Sequence, residues 1–232
     1  MIKQFFSLVI IFMNFILFSE DKILVTLHGF MSNKTYMTLF EDEFKYDGWI
    51  VYPWSYPSEM KTIQEHGKSL ITLLEFIVDK HPNQKINFIT HSMGGLVLRS
   101  AINESECPIE AKMGQAVLVA PPNQGTAYGR FLNKFKFFKE IAGDYAGRQL
   151  LTTEKGGFES LGQFPESMKI LVIAGTCGFN PVILDFNDGK VGVEETKLST
   201  PHEHITVFAG HSWISQSPLT VELAKAFFYK NM

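Results

Sequence analysis

The fold is decided by the stretch Asn87-Phe88-Ile89-Thr90-His91-Ser92-Met93-Gly94-Gly95. An apolar run over residues 86–89 predicts a short buried strand, and the apolar run directly behind Gly95 predicts a helix. Ser92 stands between them, so the pattern predicts a sharp turn that lifts the serine hydroxyl out of the sheet. Such a turn needs small neighbours. Gly94 and Gly95 supply them on the helix side, whereas Thr90 occupies the strand-side position where glycine is usual.

A serine at this place has two interpretations. It can simply cap the following helix, since serine is a favoured N-cap residue. It can also be a nucleophile, because backbone N–H groups at a helix start face any negative charge that develops there. Only partner residues elsewhere in the chain separate the two.

Length and composition predict one globular domain. The chain has 232 residues, of which 45% are hydrophobic and 19% are charged, enough for one full core. The net charge is −3 and no basic run occurs, so no nucleic-acid-binding surface is expected. The two cysteines, Cys107 and Cys177, have no metal-ligand spacing, and both two free thiols and one disulfide stay open.

Residues 1–20 have the pattern of an export signal. Lys3 gives a basic start, residues 5–18 are almost wholly apolar, and a polar exit follows from Ser19. The apolar run is short for a membrane span. Leu17 stands where a cleavage site prefers a small residue, so an uncleaved membrane anchor is the first alternative and a buried N-terminal helix the weaker second. The protein is expected to be exported, as a periplasmic, secreted or membrane-associated protein.

Strand and helix patterns alternate over residues 21–232. This alternation predicts an α/β fold, a mostly parallel sheet flanked by helices, in one domain. Residues 121–165 break the rhythm and predict a cap-like insert between two strands. The predicted strands cover residues 22–27, 49–52, 85–90, 113–120, 168–174 and 205–209, and the predicted helices cover 61–80, 96–103 and 218–229.

Partners for a nucleophilic Ser92 occur in the expected order. A serine hydroxyl needs a base to remove its proton, and a histidine base needs a carboxylate to hold it. His211 follows the last predicted strand, and Asp188 lies in an Asp-Gly turn after the preceding strand. We therefore predict a Ser92–Asp188–His211 catalytic triad, with Asp185 as the second choice of acid and Glu194 as the third.

Negative charge that forms on a substrate oxygen needs two backbone donors. One is the N–H of Met93, directly after the serine, and the other comes from the loop behind the first strand. Phe30 is the predicted second donor, and Met31 is the alternative if the loop is shifted by one residue. The side chain of His28 is expected to bond to nearby backbone.

Aromatic and basic side chains alternate over residues 128–139 of the insert. As one helix, this segment places Phe131, Phe135 and Phe138 on one face. That face can pack on the domain, or it can cover the serine as an apolar acyl site or touch lipid. On the second interpretation, Phe131 and Phe135 are the candidate substrate-binding residues.

These residues resemble the α/β-hydrolase superfamily, in its small bacterial lipase-like and esterase-like branch. The resemblance covers nearly all of residues 22–230 and rests on segments 27–30, 90–95, 119–126, 188–191 and 210–211. It implies a minimal form of that fold, without extra leading strands. It also implies a serine hydrolase that cleaves carboxylic esters through an acyl-enzyme, without cofactor or metal. Thr90 departs from the usual glycine of the family.

Three functions stay open at this point. The first is a lipase or esterase acting on a small-molecule or lipid ester, and the second is an acyltransferase that uses the same triad. The third is a non-catalytic binding protein with this fold, against which the intact triad argues. The sequence leaves the ester, the acyl-chain length and the oligomeric state open.

Overall fold

A six-stranded sheet forms the centre of the structure, a computed structural model that describes residues 21–232. Its strands stand in the order β2-β1-β3-β4-β5-β6, and every neighbouring pair is parallel. The export signal predicted for residues 1–20 lies outside the described residues. The strands are β1 (Ile23–Leu27), β2 (Ile50–Trp54), β3 (Ile86–His91), β4 (Gln115–Val119), β5 (Lys169–Gly175) and β6 (Glu203–Val207).

Helices connect these strands and cover both faces of the sheet. Short 3-10 turns add to them at Lys34–Met37, Gly157–Leu161, Glu194–Thr196 and Ile214–Gln216. The α-helices are α1 (Thr38–Tyr46), α2 (Ile63–Lys80), α3 (Met93–Ile102), α4 (Ile109–Lys112), α5 (Ala127–Leu132), α6 (Lys136–Ala142), α7 (Ala146–Thr152) and α8 (Pro218–Lys230).

The core consists of two apolar layers, one on each face of the sheet. Successive side chains of β1 point to opposite faces, so Val25 joins the layer under α2 and α3. Leu24 joins the layer under α1 and α8, with Phe44 and Phe228. Because both faces are covered, β1, β3 and β4 are buried along their whole length, which explains why they appear as continuous apolar runs.

Strand β2 and helix α1 show how the structure differs from the sequence prediction. Strand β2 continues through Pro53 to Trp54, although Pro53 was expected to stop it. This is allowed because β2 is an edge strand, where a residue without an N–H costs no ladder bond on the open side. Helix α1 was not predicted at all, and it buries Phe40 and Phe44 against the sheet.

The insert, residues 121–165, holds helices α5, α6 and α7 and one 3-10 turn. The single helix considered for residues 128–139 is in fact two, because α5 ends at Leu132 and α6 begins at Lys136. The connecting residues turn the chain, so Phe131 and Phe138 no longer share one helical face. α5 and α6 both pack on α7.

Cys107 and Cys177 are both free thiols, the first buried and the second exposed. Of the two alternatives that the sequence left open, the disulfide is therefore not formed. No helix within residues 21–232 is both long and apolar enough to cross a membrane.

Candidate active site

Ser92 lies on a strained turn between β3 and α3. Its backbone dihedrals are φ 54° and ψ −124°, a region that non-glycine residues rarely occupy. Such strain costs about 1–3 kcal/mol and persists where the surroundings fix the backbone. Here the Ser92 N–H donates to the carbonyl of Val119 at the end of β4, at 2.8 Å. The predicted turn is therefore present, with the serine at the carboxyl edge of the sheet.

The glycines behind Ser92 allow close packing of α3 on β1. A methyl group at Gly94 would lie 2.9 Å from the carbonyl oxygen of Leu27 and 2.8 Å from that of His28. Thr90 is tolerated on the strand side because its neighbour Gly95 has no side chain. A methyl group at Gly95 would lie 3.3 Å from the Thr90 hydroxyl oxygen.

Ser92, His211 and Asp188 form one continuous line of hydrogen bonds. The distance from Ser92 Oγ to His211 Nε2 is 2.9 Å, and that from His211 Nδ1 to Asp188 Oδ2 is 2.7 Å. His211 is 7% exposed and Asp188 is 4% exposed, so water screens their interaction little. The structure therefore brings together the three side chains that the sequence predicted for the triad.

Backbone groups hold the carboxylate of Asp188 in place. Its Oδ1 accepts hydrogen bonds from the N–H groups of Lys190 and Val191, at 2.9 and 2.8 Å. That leaves Oδ2 for His211. In addition, the His211 N–H donates to the backbone carbonyl of Asp188, at 2.9 Å.

The two alternative acids are engaged elsewhere. The carboxylate of Asp185 accepts hydrogen bonds from the N–H groups of Phe186 and Glu194. The side chain of Glu194 forms an ion pair with Lys197. Neither carboxylate contacts His211, so Asp188 alone among the three candidates can orient it.

The side chain of His91 forms a hydrogen bond to the backbone of His211, a role that the sequence did not suggest. Its Nε2 lies 2.9 Å from the backbone carbonyl oxygen of His211, which can only accept, so Nε2 carries the proton and donates. Burial lowers the pKa of His91 to about 3, with a further lowering by the nearby His211. His91 is therefore neutral, and it ties the strand before Ser92 to the loop of His211.

Two backbone N–H groups flank Ser92. Met93 is the first residue of α3, where N–H groups have no acceptor within the helix. Among the described residues, no protein acceptor pairs with the N–H of Phe30. The N–H of Met31 donates to Ser58 Oγ at 3.0 Å, which favours Phe30 over Met31 as the second donor.

The loop after β1 is braced by the segment after β2. The Tyr56 hydroxyl donates to the carbonyl of His28 at 2.8 Å, and the two rings stack with centroids 4.4 Å apart. The ring nitrogens of His28 contact the Gly29 carbonyl and the Tyr56 N–H, so the side chain bonds to nearby backbone, as expected. Burial lowers the pKa of His28. This packing fixes the backbone in front of Ser92.

A cavity of about 350 Å³ opens in front of Ser92 and His211. The insert supplies much of its wall. The apolar part of that wall consists of Leu132, Phe138, Ile141, Ala142, Leu150 and Leu151.

Phe131 and Phe135 do not line this cavity, although they were the candidate substrate-binding residues. They stack on each other with centroids 5.3 Å apart, and Phe135 is 47% exposed. The break between α5 and α6 is the reason, since it changes the direction of the helix after Leu132. Phe138, the third aromatic residue of the same segment, faces the cavity in their place.

Two glycines allow close packing of the insert, one against the Phe30 ring and both against backbone of the insert itself. A methyl group at Gly147 of α7 would lie 2.6 Å from the Phe30 ring and 2.0 Å from the Ala142 carbonyl oxygen. A methyl group at Gly129 of α5 would lie 2.4 Å from the Leu150 carbonyl oxygen.

Within residues 21–232, no group of three or more His, Cys, Asp or Glu side chains could hold a metal ion.

Comparison with known proteins assigns the chain to a family. Residues 18–142, more than half of the chain, match the family model described as "Putative serine esterase (DUF676)". The chain belongs to this family. No curated protein matches the sequence.

Solved structures extend the likeness over most of the chain. The mature form of the Bacillus licheniformis lipase BlEst2 matches with a TM-score of 0.73 at 16% identity, over 90% of this chain and 93% of that one. The Pyrococcus furiosus esterase Pf2001 matches with a TM-score of 0.59 at 18% identity, over 92% and 84%. Est1E from Butyrivibrio proteoclasticus, solved with ferulic acid bound, matches with a TM-score of 0.62 at 13% identity, over 91% and 90%. At these identities the likeness shows the fold, and the predicted α/β-hydrolase fold is confirmed.

Proposed function

We propose that the protein is a serine hydrolase that cleaves carboxylic esters whose acid part is an apolar acyl chain. The reaction passes through an acyl-enzyme on Ser92. The observation that carries the proposal is the unbroken line of hydrogen bonds from Ser92 through His211 to Asp188, placed at the mouth of a cavity. Family membership as a serine esterase supports the same reaction class.

Acylation follows from the positions of these atoms. His211 Nε2 takes the proton of Ser92 Oγ while that oxygen bonds to the ester carbonyl carbon. The negative carbonyl oxygen of the tetrahedral intermediate accepts hydrogen bonds from the N–H groups of Met93 and Phe30. The bond to the alcohol oxygen then breaks, and His211 gives its proton to the leaving alcohol.

Deacylation repeats these steps with water. His211 takes a proton from a water molecule, whose oxygen bonds to the acyl carbon, and the acid leaves as Ser92 regains its proton. Asp188 stays ionised throughout and stabilises the His211 cation. The N–H groups of Lys190 and Val191 hold its carboxylate in the orientation that His211 needs.

The apolar wall of the insert supports an acyl chain as the group that enters the cavity. A volume of about 350 Å³ is within the usual range for small-molecule sites. Each methylene that leaves water for this wall adds about 0.8 kcal/mol to binding. We propose export of the enzyme from the pattern of residues 1–20.

Covalent labelling with a fluorophosphonate probe tests the proposal. Wild-type protein should be labelled and should release carboxylic acid from a series of p-nitrophenyl esters. Ser92→Ala should lose the label and lose turnover by about 10⁴- to 10⁶-fold. The exposed Ser105, in the turn just after α3, gives the matched control, and Ser105→Ala should label like wild type. Full labelling of Ser92→Ala would overturn the assignment, and acyl transfer to an added alcohol without acid release would assign an acyltransferase.

A further inference from the structure

The cavity in front of Ser92 is charged on one side only. Among its described lining residues there is no carboxylate side chain, and Lys190 is the one lysine or arginine. Asp188 lies behind His211 and does not line the cavity. A lysine that borders a cavity without acidic side chains, and whose side chain is exposed there, favours a bound anion within its reach.

The backbone of Lys190 is fixed relative to the catalytic groups. Its N–H donates to Asp188 Oδ1 at 2.9 Å, and its carbonyl accepts from Thr126 Oγ1 at 2.8 Å. The residue is therefore attached on one side to the acid that holds His211 and on the other side to the start of α5.

The side chain of Lys190, by contrast, is unused by the fold. It is exposed, and within residues 21–232 its ammonium group makes no hydrogen bond and no ion pair. Lys197, further along the same loop, is paired with Glu194. A lysine whose backbone is tied down and whose charge is left unpaired beside a reaction site is suited to contact a ligand.

The apolar wall lies away from this charge. Thr126 caps α5 beside Lys190, whereas Leu132 is the last residue of the same helix. Six residues of α-helix span about 9 Å. An acyl chain on the apolar wall therefore leaves the rest of the substrate near His211 and Lys190. His211 protonates the departing alcohol, so the alcohol part is the portion that passes Lys190.

We propose that the preferred substrate is an acyl ester whose alcohol part carries an anionic group, a phosphate or a carboxylate, and that Lys190 binds this group. The inference rests on the proposed ester hydrolysis and names its substrate class. A lipid headgroup and a soluble phosphorylated ester share this chemistry. Both present one negative group a few bonds from an acyl ester.

Two esters with the same acyl chain test the inference: 1-octanoylglycerol, which is neutral, and 1-octanoylglycerol 3-phosphate, which is anionic. Wild type should prefer the anionic ester in kcat/KM. Lys190→Met should lower the ratio of anionic to neutral kcat/KM by about fivefold, the effect of one exposed ion pair. Lys190→Arg should keep most of the preference, and Lys190→Glu should reverse it. Because the variants change only the side chain, the backbone bonds of Lys190 remain.

Lys155→Met is the matched control, since Lys155 is an exposed lysine of the insert that does not line the cavity. It should leave the ratio as in wild type, and an equal fall in Lys155→Met would overturn a local contact at Lys190. The esters are compared as monomers and in phosphatidylcholine vesicles. A Lys190-dependent ratio with monomers supports a soluble ester, and one found only in vesicles supports a lipid. An unchanged ratio in both overturns the inference. If wild type cleaves neither ester while Ser92 still reacts with a fluorophosphonate, the substrate class is wrong and the nucleophile stands.

Discussion

The two sides of the cavity are held in opposite ways. The rim of the sheet, with Ser92, Asp188 and His211, is tied by hydrogen bonds between side chains and backbone, and Asp188 is only 4% exposed. The insert that faces the rim consists of three short helices with large apolar groups in contact with water. Phe137 is 64% exposed and Ile141 is 45% exposed.

This difference separates what the reaction needs from what the substrate needs. Proton transfer between Ser92, His211 and Asp188 works only with donor and acceptor a hydrogen bond apart, so the sheet fixes their positions. Helices of the length of α5, α6 and α7 are not stable by themselves, and they depend on packing. The apolar side chains of the insert that line the cavity take no part in the hydrogen bonds of the triad, and we expect them to set the acyl preference.

The largest effect is expected at the rim, from the choice between Asp188 and Asp185. Asp188→Asn should lower kcat by about 10⁴-fold, because an amide cannot stabilise the His211 cation and favours the wrong tautomer. Asp185→Asn is the matched control. Within residues 21–232, its carboxylate bonds only to the N–H groups of Phe186 and Glu194, so activity should fall little.

Both Asp variants are compared by steady-state turnover of p-nitrophenyl acetate, with circular dichroism as the check that each stays folded. A crippled Asp185→Asn beside a nearly normal Asp188→Asn would show that the acid has been misplaced. In that case the hydrogen bonds that hold Asp188 in the rim would not be what orients His211 for the reaction.

A smaller effect is expected in the insert, where Phe138 and Phe137 are adjacent but face different surroundings. Phe138 lines the cavity, and Phe137 is largely exposed. Phe138→Ala should lower the ratio of octanoyl to acetyl kcat/KM by about tenfold, since the chain loses the contact that covers one or two methylenes. Phe137→Ala should leave the ratio near that of wild type.

Using a ratio of two substrates in one variant cancels any loss of folded enzyme. Equal losses on octanoyl and acetyl esters in Phe138→Ala would mean that the insert is scaffold. The comparison between a fixed rim and a tunable insert would then have to be given up.

The sequence predicted the rim better than the insert for a physical reason. Strands buried on both faces appear as continuous apolar runs, and Ser92 and Asp188 follow two of them, β3 and β5. His211 follows the edge strand β6, whose residues 205–209 still show strand character in the sequence. The break at residues 133–135 carries no proline or glycine, so nothing in the sequence separates α5 from α6. As a result, the aromatic residues were assigned to one face that does not exist.

Helix α1 and the roles of His91 and Lys190 were missed for related reasons. α1 presents only Phe40 and Phe44 as large buried apolar groups among charged residues, a weak periodic signal. The partner of His91 lies 120 residues later in the chain. Its polar character at a strand end next to Ser92 is the one sequence signal that could have marked it. Lys190 follows the Asp-Gly turn directly, and its position there pointed to the cavity only once the acid was placed.

The last expected effect is on stability instead of rate, and it concerns the resistance of the rim to acid, through His91. Burial lowers the pKa of His91 from its ordinary 6.5 to about 3 in the folded protein. Between these two pH values the unfolded chain binds a proton at His91 that the folded chain does not bind. Unfolding is therefore favoured as pH falls, by up to about 1.4 kcal/mol for each pH unit.

Urea unfolding from pH 7 to pH 4.5 should give a steeper fall of the free energy of unfolding for wild type than for His91→Gln. Glutamine keeps a donor for the His211 carbonyl and cannot take the proton. Contributions from the other buried histidines and from carboxylates are common to both proteins, so they cancel in the difference. Parallel slopes for wild type and His91→Gln would mean that His91 takes up its proton without unfolding. The rim would then tolerate a proton on His91 in the folded protein, as the insert tolerates substitutions.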